Sequence, residues 1–132
     1  EIIERTGATN LGVTLDNVNL IRVGDDMIEG TRMLASRTLL VQLKDHAPFH
    51  DMPIGGPVST ALGEGVSDLP GVLGELQSAG YDGAVCVELA SLGPGPVDEL
   101  AMIERSVTWL RNNVPGSTAG RHRTAPQEAA HG

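Results

Sequence analysis

The sequence predicts an α/β protein in which parallel strands alternate with helices. Three short apolar runs predict it: GVTLD ending at Asp16, LLVQLK carrying Gln42, and AVCVEL carrying Glu88, with helical periodicity between and after them. Each run also places one polar side chain near its end. Side chains alternate across a strand, so Asp16 shares a face with Gly12 and Thr14, Gln42 with Leu40 and Lys44, and Glu88 with Ala84 and Cys86. The opposite faces read Val13 and Leu15, then Leu39, Val41 and Leu43, then Val85 and Val87. That apolar content is expected of parallel strands covered by helices.

The elements follow in order. Residues 1–5 are compatible with the end of a helix, and Gly7 and Asn10 supply stop signals before the first strand. After that strand, Asp26 and Glu29 form a capping-box pattern, and Met27, Thr31 and Leu34 lie on one helical stripe before Arg37. After the second strand, Ser67 and Asp68 offer caps to a helix with Pro70 in its first turn. Leu69, Val72, Leu73 and Leu76 follow the i, i+3, i+4, i+7 pattern, and Gly80 ends it. After the third, the loop SLGPGP leads into a helix from about Val97 to Asn113, with Leu100, Ile103, Val107 and Leu110 on one face and Pro115 and Gly116 beyond its end. Residues 116–132 show no apolar periodicity and read as a disordered tail in which His122 and His131 are solvated. The folded unit is therefore expected over residues 1–115.

A chain of 132 residues with 40% hydrophobic content suits one domain, and no stretch in it is long and apolar enough to span a membrane. Seventeen acidic residues against nine basic ones give a formal charge of −8, and Trp, Tyr and Phe occur once each. Such a balance repels phosphate backbones and offers few stacking platforms, which disfavours nucleic acid as a partner. The single cysteine, Cys86, sits in an apolar run; it reads as a small buried hydrophobe and suits a reducing cytoplasm, the expected location.

Two carboxylates and an amide converge at one end of the predicted sheet. Buried carboxylates are costly unless they are paired, protonated or bound to a cation, and a divalent metal accounts for all three side chains at once. Functional groups at the C-terminal ends of successive strands, facing inward, are the arrangement of a (β/α)8 TIM barrel. In an open sheet both faces are covered by helices, and three polar residues on one face are harder to solvate. Three strands cannot close a barrel, which needs about eight. The expected fold is thus a part of a barrel, about three βα units long.

Across LGVTLDNVN, LLVQLKD, ALGEG and GYDGAVCVEL, roughly residues 8–114, the sequence resembles the sugar phosphate isomerase/epimerase group of the xylose isomerase-like TIM barrels. The resemblance implies the C-terminal part of that barrel, with Asp16, Gln42 and Glu88 at the ends of strands six, seven and eight. It implies a divalent metal held by these three and by a strand-five carboxylate that this sequence lacks. Many members carry His where Gln42 stands, and many carry His where Asn19 stands. An amide among carboxylates makes a hard oxygen site, better suited to Mg²⁺ or Mn²⁺ than to Zn²⁺. Asn19 would then hydrogen-bond substrate or a metal-bound water.

The implied activity is that of a metal-dependent isomerase or epimerase acting on a sugar, sugar phosphate or related hydroxy-carbonyl compound. Glu88, with the missing strand-five carboxylate, would move the proton while the metal stabilises the enediolate. Lys44 would neutralise a substrate oxyanion or phosphate, or else pair with Asp45 or Glu64. Glu64 would contact substrate, or simply occupy a turn set by Gly63 and Gly65. Turnover is expected to need the missing N-terminal part of the barrel or a partner chain. The alternatives are a dehydratase on the same scaffold, a non-catalytic binding or assembly module, and a small flavodoxin-like domain.

Two further segments are weaker candidates. HAPFHDM spaces His46 and His50 like helical ligands, but Pro48 between them argues against a helix, so a loop over the strand ends with surface histidines is expected. The Gly-rich IGGPVSTALGEG lacks a P-loop ending and reads as a loop whose backbone N–H groups would bind an anionic substrate group.

Overall fold

The computed structural model describes residues 2–48, 58–90, 92 and 96–114. The expected tail with His122 and His131, His50, and most of the SLGPGP loop lie outside the described residues. Helix α1 (Ile2–Thr6) ends at Gly7, whose φ of +64° is the left-handed cap that glycine adopts without strain. Strand β1 (Val13–Asp16) runs directly into α2 (Asn17–Arg22), a short helix that no periodicity announces. Asp16 starts it by accepting the Val18 and Asn19 N–H groups on Oδ1 at 3.1 and 3.2 Å. Helix α3 (Met27–Leu34) begins at the expected Asp26 cap; Glu29 turns to Arg32 and leaves the capping box half made. A 3₁₀ turn (Ala35–Arg37) leads into β2 (Thr38–Leu43).

A small antiparallel pair follows, β3 (Asp45–His46) with β4 (Ser59–Thr60). Helix α4 (Leu69–Ser78) is capped by Asp68 with Pro70 in its first turn, β5 spans Ala84–Val87, and α5 (Glu99–Asn113) is capped by Asp98. The expected βαβαβα order holds.

The main sheet is parallel, in the order β1-β2-β5, with Asp16 opposite Gln42 and Gln42 opposite Cys86. Successive strands lie side by side, without the reversal of strand order that marks an open doubly wound sheet. Among the described residues, helices cover one face only. There Leu15, Val41 and Leu43 are buried against Met27, Leu69, Val72 and Leu76, with Val85, Val87, Trp109 and Leu110 at the margin. On the other face Thr14, Ala84 and Cys86 are exposed, and Leu40 and Gln42 are half-buried. One-sided cover is at odds with a flavodoxin-like domain, which needs helices on both faces.

Three expectations are corrected here. Cys86 is exposed instead of buried, because its strand face is the uncovered one. Leu39 does not join Val41 and Leu43: Val13 pairs with Thr38 and Thr14 with Leu40, so Leu39 is the extra residue of a bulge and is 66% exposed. The bulge depends on Gly12, since a Cβ there would collide with the Leu39 side chain. Third, α5 buries Met102 and Ser106 while Leu100 and Ile103 face outward. Its rotation follows from specific fits: Ser106 Oγ accepts the Leu62 N–H at 3.1 Å, and the Trp109 ring lies against Gly63, whose φ is +84°.

Among the described residues, no helix is long and apolar enough to cross a membrane. Leu43→Ala is expected to cost about 2–5 kcal/mol of stability and Leu39→Ala under about 1 kcal/mol. Chemical denaturation checks this, and equal losses would refute the bulge. Arg32 of α3 bridges to Glu75 of α4, Nη2 to Oε1 at 2.8 Å, and this hydrogen bond holds the Glu75 carboxyl below its ordinary value against partial desolvation. A depressed folded value stabilises above the unfolded pKa and is lost as pH falls through the folded one. Glu75→Gln should therefore lower Tm at neutral pH, with the gap to wild type closing below about pH 4.5, the ordinary value.

Candidate functional site

The ends of β1, β2 and β5 are held level by bonds that continue the sheet past its last ladder pairs. Asn17, fully buried, clamps the backbone of Lys44: its Nδ2 donates to Lys44 O at 2.9 Å, and Lys44 N donates to its Oδ1 at 2.9 Å. A side-chain amide thus imitates one more backbone pair. On the other side, Glu88 N donates to Leu43 O at 3.1 Å and keeps the residue after β5 in line.

This framework brings three charged groups together. Lys44 Nζ lies 2.9 Å from Asp16 Oδ2 and 2.9 Å from Glu88 Oε1. The side chains of Lys44, Asp16 and Glu88 are 11%, 8% and 33% exposed, so the ammonium is largely withdrawn from water. Burial by itself would lower the Lys44 pKa; hydrogen bonds to Asp16 and Glu88, and the charge of both, outweigh it and hold the group above its ordinary value. The lysine is accordingly a cation at neutral pH. Glu88 Oε2 is buried with no hydrogen-bond partner among the described residues. Gln42 stands beside Asp16 in the ladder and shares the face.

Lys44 therefore pairs with neither Asp45 nor Glu64. Asp45, 1% exposed, accepts His46 N and Ser67 N on Oδ1 at 2.9 and 3.0 Å, and Gly63 N and Gly65 N on Oδ2, both at 2.9 Å. Of the loop expected to bind a substrate anion, the Gly63 and Gly65 N–H groups are directed at this carboxylate instead, and residues 54–57 lie outside the described residues. Glu64 is exposed and engaged by Arg105 of α5, Nε to Oε1 at 2.7 Å. It is not drawn into the Lys44 cluster. His46 is 2% exposed, not a surface histidine, because β3 pairs with β4 and Val66 N closes on its carbonyl at 3.0 Å. Asn19 is exposed beside Asp16; the two line an open cavity of about 170 Å³ with Thr14, Leu15, Leu20 and Leu34.

Asp16 and Glu88 offer carboxylate oxygens and Gln42, on the same strand face, an amide oxygen; the chemistry of these donors fits a hard divalent cation. Among the described residues, no group of three or more His, Cys, Asp and Glu side chains could hold a metal ion. Sequence reasoning missed the roles of Asn17 and Asp45. The available signals were a polar pair straddling the end of the first strand and an acid just past the second that precedes a Gly-x-Gly turn.

The model of the xylose isomerase-like TIM barrel family matches residues 1–113, and the chain belongs to that family. No curated protein matches it. The membership agrees with the parallel sheet, its one covered face and the polar strand ends.

Asp45→Ala would strip four backbone N–H groups of their acceptor and is expected to cost about 3 kcal/mol or more. Glu64→Ala removes only an exposed ion pair, worth at most about 1 kcal/mol. Denaturant midpoints should separate the two variants clearly.

Proposed function

We propose that this chain carries the metal-holding strand ends of a sugar isomerase or epimerase barrel, acting on a sugar, sugar phosphate or related hydroxy-carbonyl compound. One observation carries the reading: Asp16 from β1 and Glu88 from the end of β5 meet around a single cation, Lys44, which follows the intervening β2, at the C-terminal edge of the parallel sheet. A TIM barrel gathers its reactive groups at that edge. The family, commonly sugar isomerases and epimerases, supplies the reaction class.

Asp16, Gln42 and Glu88 would hold Mn²⁺ or Mg²⁺. When bound, the ion supplies positive charge to offset the negative charge developing on a substrate oxygen. Glu88 is the proton-transfer residue: Oε1 faces the cation, and Oε2, without a hydrogen bond among the described residues, is left to take a proton from carbon and return it. Asn19, exposed next to Asp16, orients a substrate hydroxyl by hydrogen bonding. Lys44 lies close enough to offset charge on a bound oxyanion. The uncovered face, with Thr14, Leu40, Gln42, Ala84 and Cys86, becomes the barrel interior once further strands pair with the edges of β1 and β5, which no other strand among the described residues occupies. Those strands come from more of the same polypeptide or from a partner chain, and turnover depends on them.

A second reading has its own observation. Lys44 already satisfies an oxygen of each carboxylate, as in a self-neutralised polar core of a non-catalytic assembly module. Calorimetric titration with Mn²⁺ separates the two. Binding by the wild type, abolished by Asp16→Ala and by Glu88→Ala, is expected; binding indifferent to both substitutions would leave the assembly module.

A further inference from the structure

Lys44 is the only lysine in the chain; the other basic residues that make up the nine are all arginine. Its placement is correspondingly particular. The backbone is fixed by two 2.9 Å hydrogen bonds to the buried Asn17, so only the side-chain stem is at liberty to move. The ammonium at its tip touches one oxygen of Asp16 and one of Glu88. An arginine there would lock both carboxylates with a planar fork, whereas an ammonium is a compact, strongly hydrated point charge on a flexible stem. It neutralises the pair without using all the carboxylate lone pairs, and Glu88 Oε2 has no hydrogen-bond partner among the described residues.

We propose that Lys44 is an internal counter-cation that occupies the Asp16–Glu88 pair in the metal-free protein and is displaced when a divalent ion enters. This rests on the metal reading above and adds to it that loading is an exchange of cations, not the filling of a vacant site. Without the ammonium, the two carboxylates would face each other uncompensated, and the ends of β1 and β5 would be pushed apart. With it, the strand ends stay ordered before metal arrives, and the displaced side chain stays beside the site, tethered by Asn17.

Two measurements test the exchange. In the first, the metal-free wild type is treated with an amine-acylating reagent, with and without saturating Mn²⁺, and peptide mapping follows the label on Lys44. Labelling is expected to be slow without metal and to rise several-fold with it. In the second, Mn²⁺ is titrated into wild type and Lys44→Met, with circular dichroism as the check on folding. The variant is expected to bind about tenfold tighter or more, since no resident charge has to leave. Should Lys44→Met fail to fold, labelling of the wild type decides alone. Mn²⁺ binding by the wild type with unchanged Lys44 labelling, or with no gain in a folded Lys44→Met, overturns the exchange and leaves the metal site standing. No Mn²⁺ binding by either folded protein overturns both.

Discussion

Two carboxylates carried to the ends of the strands that flank β2 repel each other, and the Lys44 ammonium between Asp16 and Glu88 lets β1, β2 and β5 end at one level. Several local features hang on that contact. Asp16 divides its oxygens, giving Oδ1 to the first turn of α2 and Oδ2 to Lys44, so the start of a helix and the neutralisation of a cluster share one side chain. Asn17, next in sequence, ties the Lys44 backbone to the same corner. Magnitudes rank the contact above the other ion pairs. Exposed bridges such as Arg105–Glu64 contribute at most about 1 kcal/mol, whereas removing one partner of a buried pair costs about 3–5 kcal/mol.

The sheet places this chemistry by being asymmetric. Val41 and Leu43 face the helices, so Gln42 and Lys44 must face the other way, and strand geometry leaves no further choice. The bulge at Leu39 sets the phase of that alternation; without the extra residue, the whole set of β2 side chains would exchange faces relative to Thr38. Gly12 is thus linked to the site through register, since its missing side chain leaves room for the bulge. The loop beyond β2 is organised separately, around Asp45. A buried carboxylate satisfied by four backbone N–H groups makes residues 63–67 a fixed wall beside the strand ends.

Much of this was legible in the sequence because it rests on periodicity and on end signals. The three strands, the caps at Asp26 and Asp68, the buried stripe of α4 and the shared face of Asp16, Gln42, Lys44 and Glu88 all follow from spacing. What escaped depends on contacts between distant segments. Apolar counting selects Leu100 and Ile103 for the inner face of α5, whereas Ser106 is buried where its Oγ accepts the Leu62 N–H and the half-buried Trp109 ring fits the space at Gly63. Cys86 lies in an apolar run, but alternation alone could not reveal which of its strand's faces goes uncovered. Asp45 and Glu64 are the acids that lie nearest Lys44 in the motifs. Strand pairing instead sets it between the first and third strands, where only the three-dimensional register brings the acids together.

The same charges connect the structural role of the cluster to its proposed chemistry. Asp16, Glu88 and Lys44 together carry one net negative charge, enough to attract a cation but less than two bare carboxylates would present. A divalent ion added to this set reverses the sign to one net positive charge. In the proposed site, that charge of the three side chains and the ion would offset the single negative charge a substrate acquires as its carbon-bound proton leaves, and a carboxylate from a further strand would reduce it. Without Lys44, the same ion would be neutralised outright by the two acids, and the developing oxyanion would meet no net attraction. In the proposed exchange, a lysine that compensates the acids before loading and stays close by afterwards would serve both states, its long stem letting one residue do so without moving the strands.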